Sequence, residues 1–189
     1  LAMKTLRNLF LSIILFSFSV TQFYDVESEW TGTSQLIILQ NSITGLEVGD
    51  EIGIFDSNAI IDDAGNTGEL LIGPASSEGP VSAIWTGDQL ELVSIGSVDL
   101  SQFGGPILPG YQEGSPVVIK VYRPNTGMEY NTELTFSAGT GTFGDFFMAI
   151  SDIQLSGGDV CEDDNDATAA FGGCAAAVAA LGCDFSFGG

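Results

Sequence analysis

Histidine is absent from this 189-residue chain. Its absence excludes Ser-His-Asp and Cys-His nucleophilic machinery, and with them every histidine-ligated metal site. Basic residues are almost as scarce, with four Lys and Arg against 25 Asp and Glu and a formal net charge of −21. Phosphate backbones are bound through Lys and Arg, so nucleic acid is excluded as a partner class and an anionic membrane surface is disfavoured. Beyond residue 20 no stretch is long and apolar enough for a membrane span, which takes roughly 20 residues. Cysteine is confined to the C-terminal part of the chain, at Cys161, Cys174 and Cys183.

The N-terminus carries what the rest lacks. Lys4 and Arg7 form a short positive region, and the apolar run Leu9–Val20 (LFLSIILFSFSV) follows it. Small residues at Ser17, Ser19 and Thr21 then offer a peptidase a cleavage point near Thr21 or Gln22. This is the layout of a secretory signal over residues 1–22; the alternative is a buried N-terminal strand or helix. The expected location is therefore secreted, extracellular or cell-surface. Leu1 and Ala2 precede Met3, which reads as a frame translated slightly upstream of its start, and truncation at the C-terminal end is expected too.

Lys4 and Arg7 would leave with such a signal, so only Lys120 and Arg123 would remain. All 25 acidic residues lie after it, giving 2 − 25 = −23 for the mature chain. Acidity of this size suits solubility in salty surroundings or cation binding. For most of these carboxylates the plainer reading is a solvated surface. Disorder does not explain them, because 44% of the residues are hydrophobic, including 13 Phe, which is ample for a core. One main domain over 23–157 is expected.

Between Phe23 and Leu155 the chain reads as short strands separated by Gly, Pro, Asn and Asp. The clearest pair is Val117–Arg123 and Met128–Phe136, joined by Pro124-Asn125-Thr126-Gly127. Met128, Tyr130, Thr132, Leu134 and Phe136 fall on one face of the second strand; Glu129, Asn131, Glu133 and Thr135 fall on the other. That alternation around a Gly-containing turn is what a half-buried antiparallel hairpin requires. Further strands are expected at Gln35–Gln40, Glu51–Phe55, Glu69–Ile72, Val81–Trp85, Leu90–Ile95 and Phe146–Leu155. No segment before residue 160 shows a helical period. The pattern predicts an all-β fold, an antiparallel β-sandwich of Ig-like or jelly-roll-like type, with a barrel as the lesser alternative. A faint echo links Gly49–Ile54 to Gly87–Leu92, where Gly-Asp turns precede alternating strands; recurrent turn chemistry explains it as well as duplication does.

At Ser156-Gly157-Gly158 the character changes. The tail 158–189 is acidic, Ala-rich and Cys-containing, and Ala175–Leu181 suits a short helix. Export favours a disulfide among Cys161, Cys174 and Cys183, and an odd count leaves one thiol over.

Four sets of residues carry candidate chemistry. Asp56, Asn58, Asp62, Asp63 and Asn66 present the oxygen donors Ca²⁺ wants, although their spacing departs from an EF-hand loop and an ordinary polar turn is the competing reading. Glu162, Asp163, Asp164 and Asp166, with Asn165, either hold a cation or cap the helix that follows. Paired carboxylates can hydrolyse glycosides, but nothing singles out one pair among 25. Aromatics at Tyr24, Trp30, Trp85, Phe103, Tyr111, Tyr122, Tyr130 and Phe143 either stack on sugars or form core. The loop Thr140–Phe147 is where an exposed ring is most easily presented. Its GTGTFG string is no nucleotide loop, since neither Lys nor a helix follows.

Leu46-Glu47-Val48-Gly49-Asp50-Glu51-Ile52-Gly53-Ile54-Phe55-Asp56 resembles a strand-turn-strand signature in extracellular modules of large surface proteins from marine Bacteroidota-type bacteria. Trp85–Leu90, Tyr122-Arg123-Pro124 and Ser137–Thr142 fit the same kind of module, so the resemblance covers Gly32–Leu155. It implies a β-rich fold and an exported location, often with a C-terminal sorting domain that is not visible here. It supplies no catalytic residues.

The function expected from these features is a non-catalytic binding or adhesion module, glycan-binding and calcium-stabilised, with a polysaccharide or a surface protein as partner. A structural subunit of an extracellular filament or surface layer is the alternative, and a secreted glycoside hydrolase ranks third.

Overall fold

Half-buried and exposed positions alternate without a break through Met128–Ala138, the longest strand among the described residues. The computed structural model describes residues 22–78 and 81–157. The expected signal up to Thr21 and the tail from Gly158, with its three cysteines and acidic run, lie outside the described residues.

Among the described residues nine strands follow one another: β1 (Ser34–Leu39), β2 (Glu51–Ile60), β3 (Thr67–Gly73), β4 (Leu90–Ile95), β5 (Val98–Asp99), β6 (Ile107–Leu108), β7 (Val118–Arg123), β8 (Met128–Ala138) and β9 (Phe147–Ser156). A single 3₁₀ turn, Ser101–Phe103, separates β5 from β6. Among the described residues no helix is long and apolar enough to cross a membrane.

The all-β expectation holds, and the hairpin forms as its alternation required. β7 and β8 pair antiparallel with Arg123 opposite Met128 and Lys120 opposite Asn131. Gly127, at φ 70°, closes the turn by donating its N–H to the Arg123 carbonyl at 2.9 Å. In β8 the face bearing Met128, Tyr130, Thr132, Leu134 and Phe136 is half-buried, and the face bearing Glu129, Asn131, Glu133 and Thr135 is exposed.

The arrangement of strands departs from an antiparallel sandwich in two respects. Seven strands make one continuous sheet in the order β3-β2-β7-β8-β9-β1-β4. One of its pairs, β1 with β9, is parallel, because the first strand is inserted between the last strand and β4. The sheet curls until its two ends meet, where the Ala75 N–H just after β3 donates to the Val93 carbonyl of β4 at 2.8 Å. Strand twist favours such coiling over a flat sheet of this width. All seven strands therefore line one interior. Ile37 and Leu39, Ile52 and Ile54, Ile72, Leu92, Ile119 and Val121, and Met148, Ile150 and Ile153 are buried there, with Leu134 and Phe136 of β8 packed against them.

Val81–Trp85, expected as a strand, makes only a single bridge, Ile84 to Glu51. It is still held: the Ile52 N–H donates to the Ala83 carbonyl and the Trp85 N–H to the Asp50 carbonyl. The Trp85 ring is thereby delivered to the core.

β2 is buried on both faces. Ile52 and Ile54 point inward, and the alternate positions Glu51, Gly53 and Phe55 lie beneath an N-terminal strap, Gln22–Thr33. Tyr24 lies across Gly53, where an added Cβ would stand 2.8 Å from the Tyr24 ring. Phe23 stacks on Tyr122 with centroids 3.9 Å apart. The strap ends at β4, where Thr31 Oγ1 donates to the Gly96 carbonyl at 2.6 Å and the Gly96 N–H to the Thr33 carbonyl at 2.9 Å. It thus crosses from β2 to the place where the sheet's ends meet.

Candidate functional site

The carboxylates are the first place to look for chemistry, and three of them are buried in one segment: Asp50, Glu51 and Asp56. Each is committed to holding backbone or a guanidinium. Asp50 takes a two-bond fork from Arg123 and the Glu47 N–H at 2.8 Å. Arg123 also reaches Glu47, at 2.9 Å. The bond to Asp50 is the main reason its guanidinium is held above the ordinary arginine range. Glu51 accepts the Phe23 N–H on both oxygens at 3.0 Å and the Tyr24 N–H at 2.9 Å. Asp56 accepts the Asn58 N–H at 2.8 Å and the Gln112 N–H at 2.9 Å. Buried carboxylates must find such donors, because an unpaired one would cost several kcal/mol (roughly).

The five residues read as a calcium loop are divided between two jobs. Asp56 sits inside β2 and ties it to the segment after β6. Asp62 shapes the β2–β3 turn, accepting the N–H groups of Ala64 and Asn66 at 3.1 and 3.0 Å and the Asn66 side-chain amide at 2.7 Å. The Asn66 amide, followed by its backbone N–H, holds Asp62 below the usual carboxylate range. Asn58 donates its N–H to Asp56 and accepts the Gln112 amide, and Asp63 is exposed. Among the described residues, no group of three or more Asp, Glu, His or Cys side chains is placed to hold a metal ion.

The aromatics divide as well. Trp85, Tyr111, Phe143 and Tyr24 are core, with Tyr111 and Phe143 stacked at 4.4 Å. Burial, and next the Tyr24 hydroxyl's 2.9 Å bond to Glu129, raise the Tyr24 phenol far above its ordinary value. Tyr130 lies half-buried beneath the Arg123 guanidinium. Phe103 and Phe146 are almost fully exposed at loop tips. Trp30 is different: the residue is 39% exposed, and it stands at the wall of a cleft.

That cleft lies where the sheet's ends meet. On one side of Trp30 it has a volume of about 270 Å³ and is lined by Val26, Ser28, Glu29, the Pro74–Ser77 segment and Ile95. On the other side a second depression of about 350 Å³ runs along β4, between Pro74–Ser77 and Glu91, Leu92 and Val93. A third, of about 320 Å³, continues past Glu27–Glu29 toward Ile61, Leu70, Leu108 and Pro109. Together they make a shallow groove along the strap with one large aromatic ring in its wall. In the sequence Trp30 is one candidate aromatic among several, with no local signal for the distant residues that line the groove with it. Ser28 and Glu29 are its neighbours in the chain, but Ser76, Ser77 and Glu91 join them only because the sheet curls and the strap crosses its seam.

No family model, no curated protein and no solved structure matches this chain.

Proposed function

We propose that this protein is a secreted or cell-surface, non-catalytic binding module that holds a polysaccharide in the groove around Trp30. The observation that carries the reading is Trp30, a residue 39% exposed and shared by two adjoining depressions whose linings include serines and glutamates. A flat aromatic face covers the apolar face of a sugar ring, and hydroxyls and carboxylates bind its hydroxyl groups. A groove open along its length suits a chain rather than a small enclosed ligand. The charge of −23 expected for the mature chain disfavours sulfated or uronate polymers by like-charge repulsion, so a neutral polysaccharide is the ligand class. The resemblance of Leu46–Asp56 to extracellular modules of marine bacteria supports the same setting.

The non-catalytic part of the proposal rests on where the carboxylates are. Among the described residues the buried ones are occupied by N–H donors, and Glu29 and Glu91 in the groove are both exposed. A glycosidase acid needs a carboxyl shielded from water. Affinity electrophoresis through gels containing neutral or anionic polysaccharides tests the proposal. Retardation by at least one neutral polymer, lost in Trp30→Ala, is expected. Retardation only by anionic polymers, or equal retardation of wild type and variant, would overturn it.

A further inference from the structure

The strap begins with an arrangement that the groove does not use. Glu51 is 3% exposed and its carboxylate is directed at the start of the strap, where it accepts three N–H contacts from Phe23 and Tyr24. It has no cationic side chain beside it among the described residues. The two basic residues of the domain are engaged elsewhere, Lys120 with Glu69 at 2.6 Å and Arg123 with Asp50 and Glu47. The charged and titratable groups around Glu51 are themselves acidic or neutral. Tyr24 and Glu129 bond to each other, and Tyr122, opposite Glu51 in the sheet, is covered by Phe23. Asp50, adjacent in sequence, is spoken for by Arg123.

One further positive charge becomes available if the chain is cut. Anchoring is already complete at Gln22, whose Nε2 donates to the Val81 carbonyl at 2.7 Å and to the Tyr24 carbonyl. Ser19 and Thr21 place small residues third from last and last before Gln22, as a signal peptidase requires. We propose that the chain is processed at the Thr21–Gln22 bond and that the α-ammonium so created is the counter-ion of buried Glu51. In that step water adds across the amide, Thr21 keeps the new carboxylate, and the Gln22 amine takes up a proton. Cyclisation of Gln22 with loss of ammonia would remove both the charge and its side-chain donors, so the bonded form is the uncyclised one. This inference rests on the export half of the proposed function and is independent of the groove.

The peptidase step is checked by expressing the chain with its leader in a secreting host and measuring the N-terminus by mass spectrometry. A mature N-terminus at Gln22 is expected. Retention of the whole chain inside the cell would refute export, whereas export with a cut after Tyr24 would refute the inference alone. The charge pair is checked on chain beginning at Gln22, by melting it against the same chain N-acetylated. Acetylation removes the ammonium without touching Glu51 or the fold, and a loss of about 2–4 °C is expected. A free α-amine ordinarily titrates near 7.7–8.0, and pairing raises that value in the folded state. Its contribution is therefore complete below pH 7 and is lost as pH rises through the folded-state value. Glu51→Gln should abolish the difference between free and acetylated chains; if that variant does not fold, the pH dependence of the free-minus-acetylated difference still decides. Identical melting of free and acetylated chains from pH 6 to 10 would overturn the counter-ion assignment.

Discussion

Arg123 grips Asp50 through two parallel bonds, Nε to Oδ1 at 2.9 Å and Nη2 to Oδ2 at 2.8 Å, and so ties the end of β7 to the turn that opens β2. Asp50 is 1% exposed, so its charge is tolerated only with that partner in place. Removing one member of a buried pair leaves the other uncompensated, at a cost of about 3–5 kcal/mol. Arg123→Ala should therefore lose that much in urea unfolding. Arg123→Lys should recover only part of it, since an ammonium cannot reproduce the fork. A loss below about 1 kcal/mol in Arg123→Ala would show the pair to be marginal.

Gly45 lies against β9 so closely that an added Cβ would sit 1.9 Å from the Ile153 carbonyl oxygen. Backbone cannot give way as a side chain can. Gly45→Ala should be among the most destabilising single-methyl changes in the protein, more than the 1–3 kcal/mol (roughly) of ordinary overpacking. Gly32→Ala makes a useful contrast, because a Cβ there meets nothing and only its φ of 88° opposes it. Chemical denaturation of the two variants side by side checks the ranking.

These two sites also mark how far the sequence could be read. The β7–β8 hairpin was legible because period 2 and a Gly-containing turn are local signals. Asp50 and Asp56 were not, because Gly-Asp and Asp-Ser-Asn read as turns wherever they occur. In the fold Asp50 meets Arg123, 73 positions away, and Asp56 meets Gln112, 56 positions away. β2 accordingly runs five residues beyond Phe55, to Ile60, with a register shift between Asp56 and Ala59. The groove was illegible for the same reason. Trp30 is one candidate aromatic among several with nothing to set it apart, and Ser76 and Glu91 become its neighbours only when the sheet's ends meet.

Because each Asp56 oxygen already accepts an N–H and Asp62 serves its own turn, the acidic β2–β3 segment is expected to make no selective calcium site. The excess of 25 acidic over four basic residues should nonetheless make stability rise with NaCl, as screening relieves self-repulsion within a Debye length of about 10 Å at 0.1 M. Melting curves in MgCl₂ and CaCl₂ at equal ionic strength should overlap. Stabilisation by Ca²⁺ that saturates in the millimolar range and is absent with Mg²⁺ would contradict this and assign a calcium site to the segment.

Asp62 gives the domain a modest acid sensitivity. Its folded-state value lies below the ordinary carboxylate value, so its contribution is present above that ordinary value and is lost as pH falls through the lowered one. Asn66→Ala removes the leading cause of the shift and should move the Asp62 titration upward. Two-dimensional NMR of the Asp62 carboxyl through acid pH reads this directly; an unchanged midpoint would show that the backbone donors suffice.

The most direct measurement is tryptophan emission during titration with a neutral polysaccharide. Trp85 is 2% exposed and Trp30 39%, so a ligand in the groove changes the surroundings of one ring and leaves the other alone. A saturable blue shift, with protection of Trp30 from acrylamide quenching, is the expected result. Trp30→Phe should abolish the shift and keep the Trp85 signal. Undiminished binding by Trp30→Ala, or the same shift in Trp30→Phe, would contradict the assignment of the groove as the binding site.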